Sequence, residues 1–334
     1  MYILLPILLI TTIVAVLMPE DKIRGVNLLQ SRTVPMTDIK TGISLKRLKS
    51  IGVNTIAVIP FLEQASTNSP TIVVSLVMTE DQLLSAIRQA KRESFRTILK
   101  PQILLKDGWH GDVVFMNDAD WQEWFANYQR LIVAYAKLAE RESVDIFVVG
   151  TELKKTTHRD EWSALIANVR EHYSGEISYA AHNLSGFRAV KFWQLLDSAS
   201  LTMYPALSKD DDLAEAETVI LKMVDELRQE TSILNMPVWV AEVGIPSYQG
   251  ATAKPWAWRH LNDVGLVQDQ DMQSHIVEIW IKALTQKWNK GVLLWSWFND
   301  PEAGGIGDTG YTIQNKKAEA VVKCLWKDDC DVNV

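Results

Sequence analysis

The sequence predicts an α/β fold, a closed (β/α)8 TIM barrel, from three observations. Short runs rich in β-branched residues alternate with amphipathic segments along most of the chain. These runs are apolar on both faces, which is typical of parallel strands covered by helices. Eight such units lie between residues 23 and 327, and an open doubly wound sheet usually has fewer strands, so a closed barrel fits better.

The predicted elements follow one another in a regular order. The eight strands are "IRGVNLL" (23–29), "TIAVIPFL" (55–62), "RTILKPQILL" (96–105), "DIFVVGTEL" (145–153), "ISYAAHN" (177–183), "ASLTMYPAL" (199–207), "PVWVAEVGIPS" (237–247) and "GVLLWSWFND" (291–300). Segment 79–94 begins with a Thr-x-x-Gln capping box and predicts a helix. Apolar positions every three or four residues predict further helices at 118–142, 159–173, 212–230, 270–288 and 315–326.

The first residues form a separate hydrophobic segment. Residues 2–18 contain no charged side chain, and the charged stretch "PEDKIR" follows them. This length is near the lower limit of a membrane span, while the basic start and the small-x-small cleavage site of a signal peptide are missing. We therefore expect a membrane anchor or an atypical signal peptide at residues 1–19, with a buried N-terminal segment as the alternative. One catalytic-type domain at residues 20–334 would then be exported, to a periplasmic or extracellular location.

Composition and motifs argue against several partners and cofactors. The net charge of −7 disfavours nucleic acid, which needs a basic binding face. Cys324 and Cys330 either close a small disulfide loop or remain free thiols, and no further cysteine or paired histidine completes a zinc site. The G-x-G-x-x-G match at 305–310 does not join a strand directly to a helix, as a nucleotide site requires. We predict neither a metal nor an organic cofactor.

Polar and aromatic residues gather where the predicted strands end, and in TIM barrels these ends carry the chemistry. Glu152 ends the fourth strand and Glu242 lies on the seventh, so both should face one pocket. Either glutamate alone could cap a helix or pair with a lysine. Together they suit hydrolysis of a glycosidic bond, with one carboxyl as proton donor and the other as nucleophile or base. Candidate sugar-binding residues at the same face are Lys100, Gln102, Trp109, His110, His182, Asn183, Tyr204, Trp295 and Trp297.

Four segments at these strand ends resemble glycoside hydrolase family 113. They are "KPQILLKDGWHGDV" (100–113), "GTEL" (150–153), "AEVGIPS" (241–247) and "WSWFNDPEAGGIGDTGYTIQNKKAEAV" (295–321). The resemblance covers most of the chain after residue 23. It implies a retaining (β/α)8 glycosidase that is chiefly an endo-β-1,4-mannanase.

By position, the resemblance implies that Glu152 is the acid/base and Glu242 the nucleophile. It also implies that Tyr204 donates a hydrogen bond to the nucleophile and that Trp295 or Trp297 stacks on sugar. One residue separates these two tryptophans, so we expect them on the same face of the strand.

Two positions leave the polysaccharide open. Thr151, as expected in family 113, stands where the wider group has an asparagine that binds the sugar 2-hydroxyl. Gln102 stands where family members tend to have histidine. A β-glucan or an amino-sugar exopolysaccharide is the alternative substrate, and a non-catalytic carbohydrate-binding barrel is the alternative of another class.

Overall fold

A computed structural model describes residues 22–257, 265–327 and 329–330. In chain order the strands are Ile23–Leu29 (β1), Thr55–Val58 (β2), Phe61–Ser66 (β3), Ile72–Val74 (β4), Arg96–Leu99 (β5), Gln102–Asp107 (β6), Ile146–Thr151 (β7), Glu176–His182 (β8), Ser198–Met203 (β9), Val238–Val243 (β10) and Asn289–Phe298 (β11). Eight of them are parallel and close into a barrel in the order β1-β11-β10-β9-β8-β7-β5-β2, which confirms the predicted fold class.

The α-helices follow the barrel strands and cover the sheet. In the described part of the chain they are Ile39–Ser50 (α1), Glu80–Arg92 (α2), Asp118–Arg141 (α3), Glu161–Arg170 (α4), Asn183–Ala189 (α5), Leu213–Leu234 (α6), Gln270–Leu284 (α7) and Lys317–Lys327 (α8). Six of them match the predicted helical segments, whereas α1 and the short α5 were not among the predictions. None of these helices is long and apolar enough to cross a membrane.

The predicted capping box at the start of α2 is present. The Thr79 hydroxyl accepts from the backbone N–H of Gln82, and the Gln82 side chain accepts from the backbone N–H of Thr79 at 2.8 Å. These two contacts satisfy backbone donors that the first helical turn leaves unpaired. The box fixes where the helix begins.

Two apolar clusters hold the barrel together. The larger one joins the outward faces of the strands to the helices and includes the fully buried Trp124, Trp162 and Trp297. The smaller one contains barrel-strand residues only, among them Val148 and Trp239, and fills the interior. Several of the thirteen tryptophans therefore belong to the core.

A small second sheet differs from the prediction. The predicted second and third strands were each continuous, but the barrel strands β2 and β5 end before Pro60 and Pro101. Proline has no N–H to donate to a strand ladder. Beyond these prolines the chain forms β3 and β6, which pair in parallel, and β4 adds to β3 as an antiparallel strand. This sheet extends past the carboxyl ends of the barrel strands.

The predictions for the two ends of the chain, a hydrophobic segment and a pair of cysteines, each left alternatives. The hydrophobic segment at 2–18 lies outside the described residues, so its role stays a prediction. Cys324 and Cys330 form a disulfide, which decides between the two alternatives left open for them.

Candidate active site

A cleft of about 720 Å³ lies at the carboxyl ends of the barrel strands. It brings together most of the residues predicted for the site, namely Gln102, Trp109, His110, Glu152, His182, Asn183, Tyr204, Glu242 and Trp295. Leu29, Phe61, Leu104, Thr151, Trp256 and Tyr311 complete its lining. Both predicted catalytic carboxyl groups therefore face one cavity large enough for a short oligosaccharide.

The backbone at the end of β7 directs Glu152 into the cleft. Glu152 has a left-handed φ of 55°, while its N–H still donates to the Ala180 carbonyl at 2.8 Å. Two residues earlier, a Cβ on Gly150 would lie 2.9 Å from the Trp162 ring, so a larger residue does not fit. Glycine lets the strand pack closely on that ring, and the backbone turn after Thr151 aims the carboxylate at the barrel mouth.

Glu152 accepts hydrogen bonds on both carboxyl oxygens. The Thr202 hydroxyl and His182 Nδ1, the latter at 3.1 Å, contact Oε1. The Trp109 indole N–H donates to Oε2 at 3.2 Å, and His110 Nε2 lies 3.5 Å from the same oxygen. These contacts hold the carboxyl group in one orientation.

Glu242, on β10, is held from three sides. The Lys100 ammonium donates to Oε1, and the Gln102 amide donates to the same oxygen at 2.6 Å. The Tyr204 hydroxyl donates to Oε2 at 3.1 Å. Three donors on one carboxylate stabilise its charged form.

The pKa values of the two carboxyl groups are shifted in opposite directions. Burial raises the pKa of Glu242 and the charge of Glu152 adds to this, although Lys100 and Gln102 oppose both effects. Burial also raises the pKa of Glu152, but hydrogen bonds and positive charge from His110 and His182 outweigh it and hold that pKa well below its ordinary value. An imidazole supplies positive charge only when it is protonated. The protonation of Glu152 therefore depends on the state of the two histidines.

Lys100 has a different position from the one predicted. Its side chain is fully buried and does not line the cleft, so it has no exposed surface to offer a sugar. Burial lowers the pKa of its ammonium group, and the Glu242 carboxylate opposes that effect. Lys100 acts on the predicted nucleophile instead of contacting the substrate.

Among the described residues, no three His, Cys, Asp or Glu side chains are grouped as metal ligands. The chemistry available in the cleft is that of two carboxyl groups with their donors and several aromatic rings. A model of Glycoside Hydrolase Family 113 matches residues 32–316, which is most of the chain.

The chain belongs to glycoside hydrolase family 113.

Solved structures with the same fold include two from this family. A GH113 β-mannanase from Alicyclobacillus acidocaldarius, in complex with ManMIm, is 26% identical, with 92% of this chain and 97% of that chain covered and a TM-score of 0.81. A GH113 β-1,4-mannanase, solved as a complex, is 24% identical, with 92% and 100% covered and a TM-score of 0.81. A β-glucuronidase from Ruminococcus gnavus is 15% identical, with 92% of this chain and 50% of that chain covered and a TM-score of 0.63. A search of curated proteins found no match.

Trp295 and Trp297 lie on different faces of β11 in this family 113 glycoside hydrolase, contrary to the expectation that they share one. Val26 pairs with Leu294 but Leu28 pairs with Trp297, so β11 contains one extra residue there. A bulge of this kind interrupts the alternation of side chains. Trp295 lines the cleft, whereas Trp297 is buried and donates to the Ser44 hydroxyl at 2.7 Å.

Residues of this glycoside hydrolase's site that were not predicted include Thr202, which contacts Glu152, and Tyr311 and Trp256, which line the cleft. Thr202 lies on β9, two positions before Tyr204, which directly follows that strand, so side-chain alternation was a usable signal for it. Tyr311 comes from the loop after β11 and donates to the Pro255 carbonyl at 2.6 Å. Trp256, which is 48% exposed, comes from the segment after β10. No strand pattern in the sequence points to these two loop residues.

Proposed function

We propose that this glycoside hydrolase cleaves β-1,4-linked mannan with retention of anomeric configuration. The observation that carries the proposal is the pair Glu152 and Glu242 in one cleft, each held by its own set of donors. Two family 113 structures of the same fold are described as β-mannanases, which supports mannan as the substrate.

In the first step Glu242 attacks the anomeric carbon of the sugar and forms a glycosyl-enzyme ester. Tyr204, Lys100 and Gln102 orient this carboxylate, and the positive charge of Lys100 keeps it ionised despite its burial. The proton of Glu152 passes to the glycosidic oxygen while that bond to the anomeric carbon breaks. The leaving sugar departs as a neutral alcohol.

In the second step a water molecule attacks the anomeric carbon of the ester. Glu152, now ionised, takes a proton from the water, and the bond to the Glu242 oxygen breaks. Two inversions at one carbon give net retention, and both carboxyl groups return to their starting states. No redox or metal-dependent step is needed.

Aromatic rings in the cleft suit the apolar faces of sugar rings. Trp295 and Trp109 lie beside the two glutamates, and Trp256 stands at the exposed edge of the cleft. In the proposed complex these rings hold successive sugar units across the cleft. Polar side chains between them bind the hydroxyl groups.

The test compares wild type with Glu242→Ala on a panel of defined oligosaccharides that includes β-1,4-manno-oligosaccharides, β-glucans and amino-sugar polymers. We expect wild type to release reducing sugar from the manno-oligosaccharides and the variant to lose that activity. NMR of the first product should show the β-anomer, because retention preserves the configuration of a β-linkage.

Each alternative has its own result in this panel. Preferred cleavage of a glucan or an amino-sugar polymer would show that this polymer, and not mannan, is the substrate. An α-anomer as first product would overturn retention. Absence of release from every glycan by wild type would favour a non-catalytic carbohydrate-binding barrel, and equal release by both proteins would refute the role of Glu242.

A further inference from the structure

Hydrogen bonds around Asn183 fix the orientation of its amide group. The backbone N–H of Tyr204 donates to Asn183 Oδ1 at 3.0 Å, so that end of the amide is the acceptor. The other end, Nδ2, lies 3.1 Å from His182 Nε2. An amide NH2 group donates hydrogen bonds and does not accept them. His182 Nε2 is therefore the acceptor and carries no proton.

This contact decides the tautomer of the His182 ring. A neutral imidazole whose Nε2 is unprotonated carries its proton on Nδ1. Nδ1 lies 3.1 Å from Glu152 Oε1, so the neutral ring donates to Glu152. A doubly protonated ring would direct an Nε2–H at the amide N–H of Asn183, and two donors would then face each other. The amide thus disfavours the charged ring.

The second histidine beside Glu152 has no such restraint. His110 Nε2 is buried and has no hydrogen-bond partner in the described part of the chain, although Glu152 Oε2 lies 3.5 Å away. The two histidines therefore differ, since an amide opposes protonation of only one of them. The other titratable groups that act on Glu152 or are acted on by it are Lys100, Tyr179, Tyr204, Glu242 and Tyr311.

Backbone geometry alone does not explain the choice of asparagine. Asn183 has a left-handed φ of 49°, which asparagine and aspartate both tolerate better than most residues. Aspartate would also accept from the Tyr204 N–H. Only the amide supplies a donor to His182 Nε2.

We propose that Asn183 is a positioning residue that holds His182 as the neutral, Nδ1-protonated tautomer beside Glu152. The ring then orients the carboxyl group by a hydrogen bond without placing a positive charge next to it. An imidazolium there would favour the carboxylate, and an ionised Glu152 has no proton to give the leaving oxygen. The inference rests on the proposed acid/base role of Glu152, but the tautomer itself is measurable without any activity.

The first experiment is NMR of wild type labelled with ¹⁵N-histidine, in imidazole ¹H–¹⁵N correlation spectra between about pH 5 and about pH 8. The His182 signals are assigned by their loss in His182→Gln. We expect a protonated Nδ1 and an unprotonated Nε2 down to the lowest pH at which the protein is folded. An Nε2-protonated ring, or an imidazolium at neutral pH, would overturn the proposal whether or not the protein cleaves mannan.

The second experiment is Asn183→Asp, which keeps the acceptor for Tyr204 and replaces the donor to His182 by a carboxylate oxygen. We expect His182 to become an imidazolium, with the added proton on Nε2 facing the new carboxylate and the positive charge shared over the ring that contacts Glu152. Since Glu152 is active when protonated, activity is lost as pH rises through its pKa. A positive neighbour lowers that pKa, so the basic limb of the kcat/KM profile should move down by about one pH unit.

Asn68→Asp provides the matched control, because it adds the same charge in the loop between β3 and β4. Its Oδ1 can still accept from the Ser66 hydroxyl. We expect the basic limb of the kcat/KM profile of this variant to stay at the wild-type pH. An imidazolium in Asn183→Asp without a shift of the limb, or an equal shift in both variants, would overturn the proposal. Absence of glycosidase activity in wild type would count against the proposed function, and the NMR result would still decide the tautomer.

Discussion

At the scale of single residues, the buried pair of Lys100 and Glu242 sets the ionisation of the proposed nucleophile. Lys100→Met keeps the length of the side chain and removes its charge. Without the ammonium, burial and the charge of Glu152 raise the pKa of Glu242 further. Glu242 is active when ionised, so activity is lost as pH falls through that pKa, and the acid limb of the kcat/KM profile should move to higher pH.

The measurement is kcat/KM on a manno-oligosaccharide across the pH range. At neutral pH the kcat/KM of Lys100→Met should be about tenfold or more below that of wild type, since loss of a partner from a buried ion pair is costly. Lys106→Met, at an exposed position on β6, is the control and should match wild type. An acid limb that stays in place in Lys100→Met would refute the role given to Lys100.

Substitution of the two tryptophans of β11 should affect different properties, activity for Trp295 and stability for Trp297. Trp295→Ala removes a ring from the cleft, and we expect kcat/KM to fall by about tenfold, the equivalent of an aromatic contact. Trp297→Ala removes a fully buried ring that packs beside α1, and we expect a loss of about 3 to 5 kcal/mol in the free energy of unfolding. Urea titrations and kinetics at a temperature where both variants are folded would test this. The reverse pattern would contradict the positions of the two rings.

How much of the site the sequence could predict depends on which physical rule places each residue. Barrel topology places strand ends together, so Glu152 and Glu242 could be paired from the strand pattern alone. The position of Trp297 depends on one extra residue in β11, and no composition rule marks that bulge. The burial of Lys100 depends on the approach of β10, which sequence spacing does not report. Topology was predictable where local register was not.

At the scale of elements, the capping box of α2 is a local device whose energy can be measured. Thr79→Ala removes the oxygen that accepts from the Gln82 N–H. We expect a loss of about 1 kcal/mol in the free energy of unfolding by urea titration. Thr79→Ser keeps the oxygen and should lose much less, and equal losses in both variants would show that the hydroxyl does not stabilise the helix.

The small sheet of β3, β4 and β6 shows why element boundaries were harder to predict than element types. The predicted strands at 55–62 and 96–105 were apolar throughout, and hydrophobicity alone does not tell a strand in the barrel from one that leaves it. Pro60 and Pro101 were the available signals, because proline cannot donate to a ladder. After Pro60 the buried positions alternate, as in a sheet with one solvated face. The sheet places Phe61 and Leu104 in the cleft wall.

At the scale of the whole molecule, closure of the barrel separates two faces with different tasks. The carboxyl ends of the strands carry the cleft, with both glutamates and the aromatic rings. The first strand, β1, begins at the opposite face, where Ile23 pairs with Gly291 near the start of β11. A tether joined there would leave the cleft open to a polymer. Disulfides such as Cys324–Cys330 persist in oxidising compartments, and we propose that this domain is exported to one.

These positions lead to a prediction about the hydrophobic segment at 2–18, which we propose is a membrane anchor. The full chain should sediment with membranes, and a chain that begins at residue 20 should stay in the supernatant. Because β1 begins at the face opposite the cleft, both proteins should have the same kcat/KM on a soluble manno-oligosaccharide. N-terminal sequencing distinguishes the alternative, since a mature chain that starts near residue 20 would identify a cleaved signal peptide. Equal partition of the two proteins into the supernatant would refute the anchor, and a lower kcat/KM in the shortened chain would show that the segment supports the barrel.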